Sequence, residues 1–136
     1  MDRVEIAGLL ARLAHLLDEA RYEDAATVFA DDAVIRSPRG GEVRGIADLI
    51  SFLQRAHVED ERTQHITTDV VVDVEGDQAS MSANQLVFFY RAGQPPHRRS
   101  GLRLAYTAVR TSMGWRISEG EVVPAWIDGP PVTVVA

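Results

Sequence analysis

The chain has 136 residues, a net charge of −6 and no cysteine. That length suits one domain, and 46% hydrophobic with 25% charged residues is the balance of a globular chain able to bury a core. An acidic pI of about 5.1 argues against a nucleic-acid or anionic-membrane surface, which needs clustered Lys and Arg. The missing cysteines exclude disulfides, thiolate nucleophiles and Cys-based metal or iron–sulfur sites.

Residues 3–20 read as a helix. Ile6, Leu9, Leu10, Leu13, Leu16 and Leu17 recur at helical spacing and form one apolar face. Asp2 is placed to cap it, with Glu5 at capping-box distance. Asp18 falls at the edge of the apolar face, and His15 and Glu19 fall further round toward solvent. A second short helix is expected around Ala25, Ala26, Val28 and Phe29. Ala33–Arg36 reads as a short strand, Ser37–Gly41 as a loop, and Glu42–Arg44 as its hairpin partner. A third helix begins after Gly45, with Ile46, Leu49, Ile50 and Leu53 on one face, and fades in the polar run 59–62.

From residue 64 the period changes from helical to alternating. Four β-prone runs follow, at about 64–74, 78–91, 99–111 and 115–126. The first two and the last two are joined by tight turns, at Glu75-Gly76-Asp77 and Ser112-Met113-Gly114. Short connections favour antiparallel neighbours, so the runs form a meander. Residues 129–136 read as a mobile arm or an extra edge strand of the same single domain. Helices followed by a long meander give an α+β fold. A curved antiparallel sheet capped by three N-terminal helices leaves a concavity, and concavities bind small molecules.

Several segments, in this order, resemble the SnoaL-like branch of the nuclear transport factor 2-like superfamily. They are Leu17-Asp18, Val28-Phe29-Ala30-Asp31-Asp32-Ala33-Val34, Gly45-Ile46, Thr63-Gln64-His65, Gly76-Asp77-Gln78-Ala79, Gly114-Trp115-Arg116-Ile117 and Trp126. The resemblance implies a cone of curved sheet with three helices across its open side. It does not imply one activity, because the superfamily includes isomerases, dehydratases, cyclases, hydrolases and proteins without chemistry. Ketosteroid isomerase needs an aspartate where this chain has Ser37 and a tyrosine where it has Leu13, so that mechanism is rejected. Scytalone dehydratase and hexachlorocyclohexane dehydrochlorinase pair an Asp ending helix one with a His opening the first long strand, and Asp18 and His65 match those positions. The dehydratase also has a second catalytic histidine on the third long strand, where this chain has only apolar and Arg residues around Gly101–Tyr106. Its helix-one tyrosine corresponds to Leu17.

Histidine suits proton removal beside an electron-withdrawing group, because its ordinary pKa lies near working pH. A carboxylate on the other ring nitrogen fixes the tautomer and stabilises the imidazolium. The resemblance therefore implies His65 and Asp18 as catalytic residues of an elimination, isomerisation or cyclisation that needs no cofactor. On residue type alone, Asp18 is a solvated or capping carboxylate and His65 a hydrogen-bonded structural residue. The histidines show no metal-ligand spacing, so no metal is expected.

Even spacing along an unbroken strand puts Asp69 on the face of His65. Asp69, Asn84, Phe88, Tyr106 and Trp126 are the candidate substrate-binding residues. Trp115 reads as core, and Arg98-Arg99 as a solvated strand edge. The alternative function is a non-catalytic ligand pocket or an accessory interaction subunit. The expected partners are a small, apolar, possibly polyketide-like molecule and further copies of the chain, as a dimer or trimer. With no signal peptide apparent and no apolar run of membrane-spanning length, the expected location is the cytoplasm.

Overall fold

The computed structural model describes residues 1–36 and 41–129. The loop expected over Ser37–Gly41 and the tail expected over 129–136 lie outside the described residues, apart from Gly41 and Gly129.

Helix α1 spans Asp2–Asp18 and buries Ile6, Leu9, Leu10, Leu13 and Leu16, the stripe its spacing dictates. The expected capping box does not form. Asp2 lies inside the helix and reaches across to the Arg110 guanidinium at 2.9 Å and the Trp115 indole N–H at 3.3 Å. Those two hydrogen bonds hold the Asp2 carboxyl below the usual carboxylate range. Glu5 accepts the Trp115 backbone N–H at 2.9 Å. The first turn thus ties α1 to the far end of the sheet.

The expected second helix is a 3-10 helix, Tyr22–Thr27, and Phe29 opens strand β1 (Phe29–Arg36) instead of continuing the helix. Tertiary pairing overrides the local pattern here, because the Ile117 N–H donates to the Val28 carbonyl at 2.8 Å. Strand β2 (Glu42–Arg44) pairs back on β1, and Gly45, at φ 83°, turns the chain into helix α2 (Ile46–Ala56). That positive φ suits glycine and strains other residues.

Strands β3 (Arg62–Glu75), β4 (Gln78–Tyr90), β5 (Arg98–Thr111) and β6 (Gly114–Asp128) form the expected antiparallel meander. They belong to one curved, unclosed sheet ordered β2-β1-β6-β5-β4-β3. The sheet is not wholly antiparallel, because β1 pairs with β6 in parallel. A parallel neighbour needs a long crossover, which α2 and the rest of the meander supply. Local turn signals do not record such a pairing.

Strand β4 shows how the sheet divides its faces. Ala79, Met81, Ala83, Gln85, Val87 and Phe89 are buried on the inner face, while Gln78, Ser80, Ser82, Asn84 and Leu86 point outward. The apolar stripe of α1 closes over the inner face and, with Leu104, Ala108, Trp115 and Ile117, makes the core. Each fully buried leucine contributes about 1.5–3 kcal/mol. Among the described residues no helix is long and apolar enough to cross a membrane.

Gly120 is required by packing. The Tyr106 ring lies across Gly120, and a Cβ at position 120 would stand 2.5 Å from the ring and 3.0 Å from Ile35 Cδ1. Gly120→Ala is expected to destabilise the fold by about 1–3 kcal/mol, the usual cost of overpacking. Urea denaturation read by tryptophan fluorescence checks this as a lowered midpoint.

Candidate active site

Asp18 is the last residue of α1, and its carboxylate points at the first residues of β3. It accepts three donors there: the Thr63 hydroxyl at 3.0 Å, the His65 backbone N–H at 2.9 Å and the His65 ring Nδ1 at 2.6 Å. The sheet order leaves β3 at an edge. Alternate N–H groups of an edge strand lack a strand partner, and Asp18 takes the one at His65. A carboxylate at a helix C-terminus faces the negative end of the helix dipole; the three donors offset that.

This pairing assigns the tautomer. An ionised Asp18 only accepts, so Nδ1 carries a proton, and in the neutral ring Nε2 keeps its lone pair. Among the described residues Nε2 has no hydrogen-bond partner. The His65 side chain is 8% exposed and that of Asp18 22%, so the pair is sheltered and the carboxylate reaches solvent.

Two spaces adjoin at His65, which lines both. A partly open chamber of about 100 Å³ is lined by apolar side chains from α1, α2 and the sheet, together with His65, Gln85, Tyr106 and Arg36. An outer cleft of about 360 Å³ runs between the end of α1, the end of α2 and the start of β3. His65, Leu17 and Leu53 line both. Across the cleft the Tyr22 hydroxyl and His57 Nδ1 are 3.1 Å apart, and burial pushes the Tyr22 hydroxyl above its ordinary value.

Of the expected substrate-binding residues, only Tyr106 lines the chamber. Asp69 is displaced by a bulge. The pairing of β3 with β4 slips between Thr68 and Val71, and Asp69 itself has φ 56°. One extra residue inverts the parity of everything beyond it, so Asp69 and Asp73 are exposed on the outer face. Asn84 also faces outward and donates to Asp69 at 3.0 Å. Phe88 shares that outer parity, in register with Gln64 and Arg99. Trp126 is 47% exposed and lies over Gly101, in register with Leu86, on the outside of the sheet. These four are corrected from chamber to outer face.

Arg98 is a further correction. It is 5% exposed and stacks 3.6 Å over the Phe89 ring, with Glu61 at 3.7 Å. Burial pulls its guanidinium below the ordinary value and Glu61 opposes that. Sequence reasoning missed Gln85, Tyr22 and His57. The signal for Gln85 was present, since it is the polar residue in the otherwise small or apolar odd register of β4. Nothing local marked Tyr22 and His57, which meet only through the packing of two helices. Among the described residues no three His, Asp or Glu side chains gather as a metal-ligand set.

The anchoring role of Asp18 has separable consequences. Asp18→Ala strands the Thr63 hydroxyl and the His65 N–H, and should cost about 1–3 kcal/mol in stability. Asp18→Asn keeps an acceptor and should cost much less, but should shift the His65 ring toward the Nε2-protonated tautomer. Two-dimensional ¹⁵N NMR of the imidazole reads the tautomer, and denaturant titration reads the stability.

The fold has counterparts among known structures. The chain resembles the Kfla4162 protein of Kribbella flavida, with TM-score 0.84, 23% identity and 93% of each chain covered. It resembles a nuclear transport factor 2-like protein with a cystatin-like fold from Novosphingobium aromaticivorans, with TM-score 0.76, 29% identity, 91% of this chain and 82% of that one. A third likeness is to a protein of the same organism provisionally named a scytalone dehydratase, with TM-score 0.82, 16% identity, 96% of this chain and 88% of that one. No curated protein matches. Residues 1–120 match the model of the SnoaL-like domain, and the chain belongs to that family, within the nuclear transport factor 2-like superfamily.

Proposed function

We propose that the protein is a cofactor-independent acid/base enzyme, a lyase or an isomerase/cyclase acting on a small molecule. His65 is its base and Asp18 the partner that orients it. The observation that carries this reading is the 2.6 Å contact from His65 Nδ1 to Asp18 Oδ1, with Nε2 lacking a partner among the described residues and His65 lining both chamber and cleft.

The chemistry follows from the tautomer. Nε2 takes a proton from a carbon beside an electron-withdrawing group, and the imidazolium that forms is stabilised by Asp18. In an elimination that proton goes to the departing oxygen, which leaves as water while a C=C bond forms. In an isomerisation it returns to a different carbon. Chamber size constrains the ligand. An apolar cavity of about 150 Å³ holds one benzene, so a chamber of about 100 Å³ takes no more than a single small ring. The rest of a larger molecule sits in the cleft. The provisionally named dehydratase supports the fold of this reading, not its substrate.

On the best substrate from a panel of small hydroxy-ketones, His65→Ala should lower kcat by roughly 10²–10⁴. Asp18→Asn should lower it by a comparable factor through the wrong tautomer, with the unfolding midpoint close to that of the parent. Turnover unchanged in both variants would remove the assignment.

A second reading, an interaction subunit, draws on the outer face of the sheet. There Ile66, Leu86, Val123 and Trp126 are 38–47% exposed. Sedimentation velocity on Leu86→Lys tests it. A parent that is larger than a monomer and a variant that dissociates would support association through this face.

A further inference from the structure

Register across β3, β4, β5 and β6 sorts the outer face of the sheet into rows. Ile66, Leu86, Gly101 and Trp126 stand side by side in one row. Its three large side chains are exposed, and the Trp126 ring lies over Gly101 on β5. Two residues along, the next row holds Thr68, Asn84 and Arg103, with Asp69 beside Thr68. Beyond it stand Val71, Ser82 and Ala105, also exposed. An exposed apolar surface that is contiguous marks a contact with another protein.

The middle row carries two charges, Asp69 on β3 and Arg103 on β5, with Asn84 on β4 between them. The bulge between Thr68 and Val71 presents Asp69 on this face. Asp69 sits at φ 56°, a region few non-glycine residues occupy, and Asn84 holds its carboxylate by donating at 3.0 Å. Arg103 is exposed and forms no ion pair with any described residue. Arg99, the other outward arginine near it on β5, is already paired with Asp128 at 3.3 Å. Ser82 and Ala105 are small, so the middle row borders a depression of about 380 Å³ that Asp69, Asn84 and Arg103 also line. That space admits a long side chain.

A face that binds a second copy by two-fold symmetry must match itself. Two sheets packed face to face with their strands aligned put the axis in the plane between them. An axis along β3 would set Asp69 against the partner's Asp69. One along β5 would set Arg103 against the partner's Arg103. Like charges in contact count against both. An axis along β4 sets Asp69 opposite the partner's Arg103. It also sets Ile66 opposite the partner's Trp126, Leu86 on the partner's Leu86, and Val71 opposite the partner's Ala105. Apolar rows then meet apolar rows. We infer that the outer face pairs with a second copy of this chain about a two-fold axis along β4, each Arg103 reaching through the depression to the partner's Asp69. This deepens the reading of the outer face as an association surface and rests on it, and it is independent of the chemistry at His65.

Sedimentation velocity on the full chain tests the arrangement with two pairs of variants, Asp69→Arg with Arg103→Asp and Leu86→Lys with Leu86→Glu. The parent is expected to sediment as a dimer. Each variant alone sets like charges together across the axis and should weaken association by at least about tenfold. An equimolar mixture of the two members of a pair should recover it, because each charge then faces its opposite. Recovery on mixing cannot come from a repair within one chain. The Leu86 pair decides the matter if a change at Asp69 prevents folding, and its recovery is specific to an axis along β4, where position 86 meets itself. A monomeric parent, or a dimer indifferent to Leu86→Lys, overturns the association reading and the inference with it. A trimeric parent, or a dimer that the single variants dissociate and neither mixture restores, overturns the two-fold arrangement alone.

Discussion

The carboxylate of Asp18 is the joint on which the site depends. It fastens the end of α1 to the start of β3 through Thr63 and through both the backbone and the ring of His65. Without that joint the edge strand has an unpaired N–H, and the imidazole has no reason to prefer one tautomer. One side chain thus completes the sheet edge, closes the helix over the sheet and aims the base. Structure and chemistry share an interaction here, which is why the Ala and Asn replacements separate the two roles.

The rest of the fold brings that joint to the mouth of a cavity. The first turn of α1 is anchored at the opposite end, by Asp2 on Arg110 and Trp115 and by Glu5 on the Trp115 backbone. Between the two anchors the leucine stripe of α1 lies on the inner face of the strands. The helix is held at both ends and along its length, so its last residue meets β3 in a fixed place. A chamber and a cleft then remain on either side of His65. Three of the chamber's polar groups, on His65, Gln85 and Tyr106, come from adjacent strands, so their spacing is set by sheet register and not by loop conformation.

Much of this was legible in the chain. The leucine spacing of α1, the alternation of β4 and the tight turns at Gly76 and Gly114 report local geometry, and the helices and the meander were read from them. The pairing of Asp18 with His65 was suggested by position in a resemblance, not by spacing. The misplaced residues have separate causes. A bulge at Asp69 reverses strand parity, and nothing in Thr68-Asp69-Val70-Val71 announces it. Trp126 looked like a pocket wall because it is aromatic and near a strand end, yet the empty face of Gly101 draws its ring to the outer surface. Arg98 looked solvated because it is charged, yet the Phe89 ring and Glu61 bury it.

By itself the sequence determined where the two α-helices and the four meander strands lie, which helical face is apolar and which residue types were available for chemistry. These depend on periodicity and on neighbours along the chain. Only the tertiary structure decided that β1 lies parallel to β6, that Asp69, Asn84, Phe88 and Trp126 face outward, and that Gln85 and Tyr106 share a chamber with His65. Those outcomes depend on register between strands distant in sequence, where one inserted residue changes which face a side chain joins. No local pattern records that register.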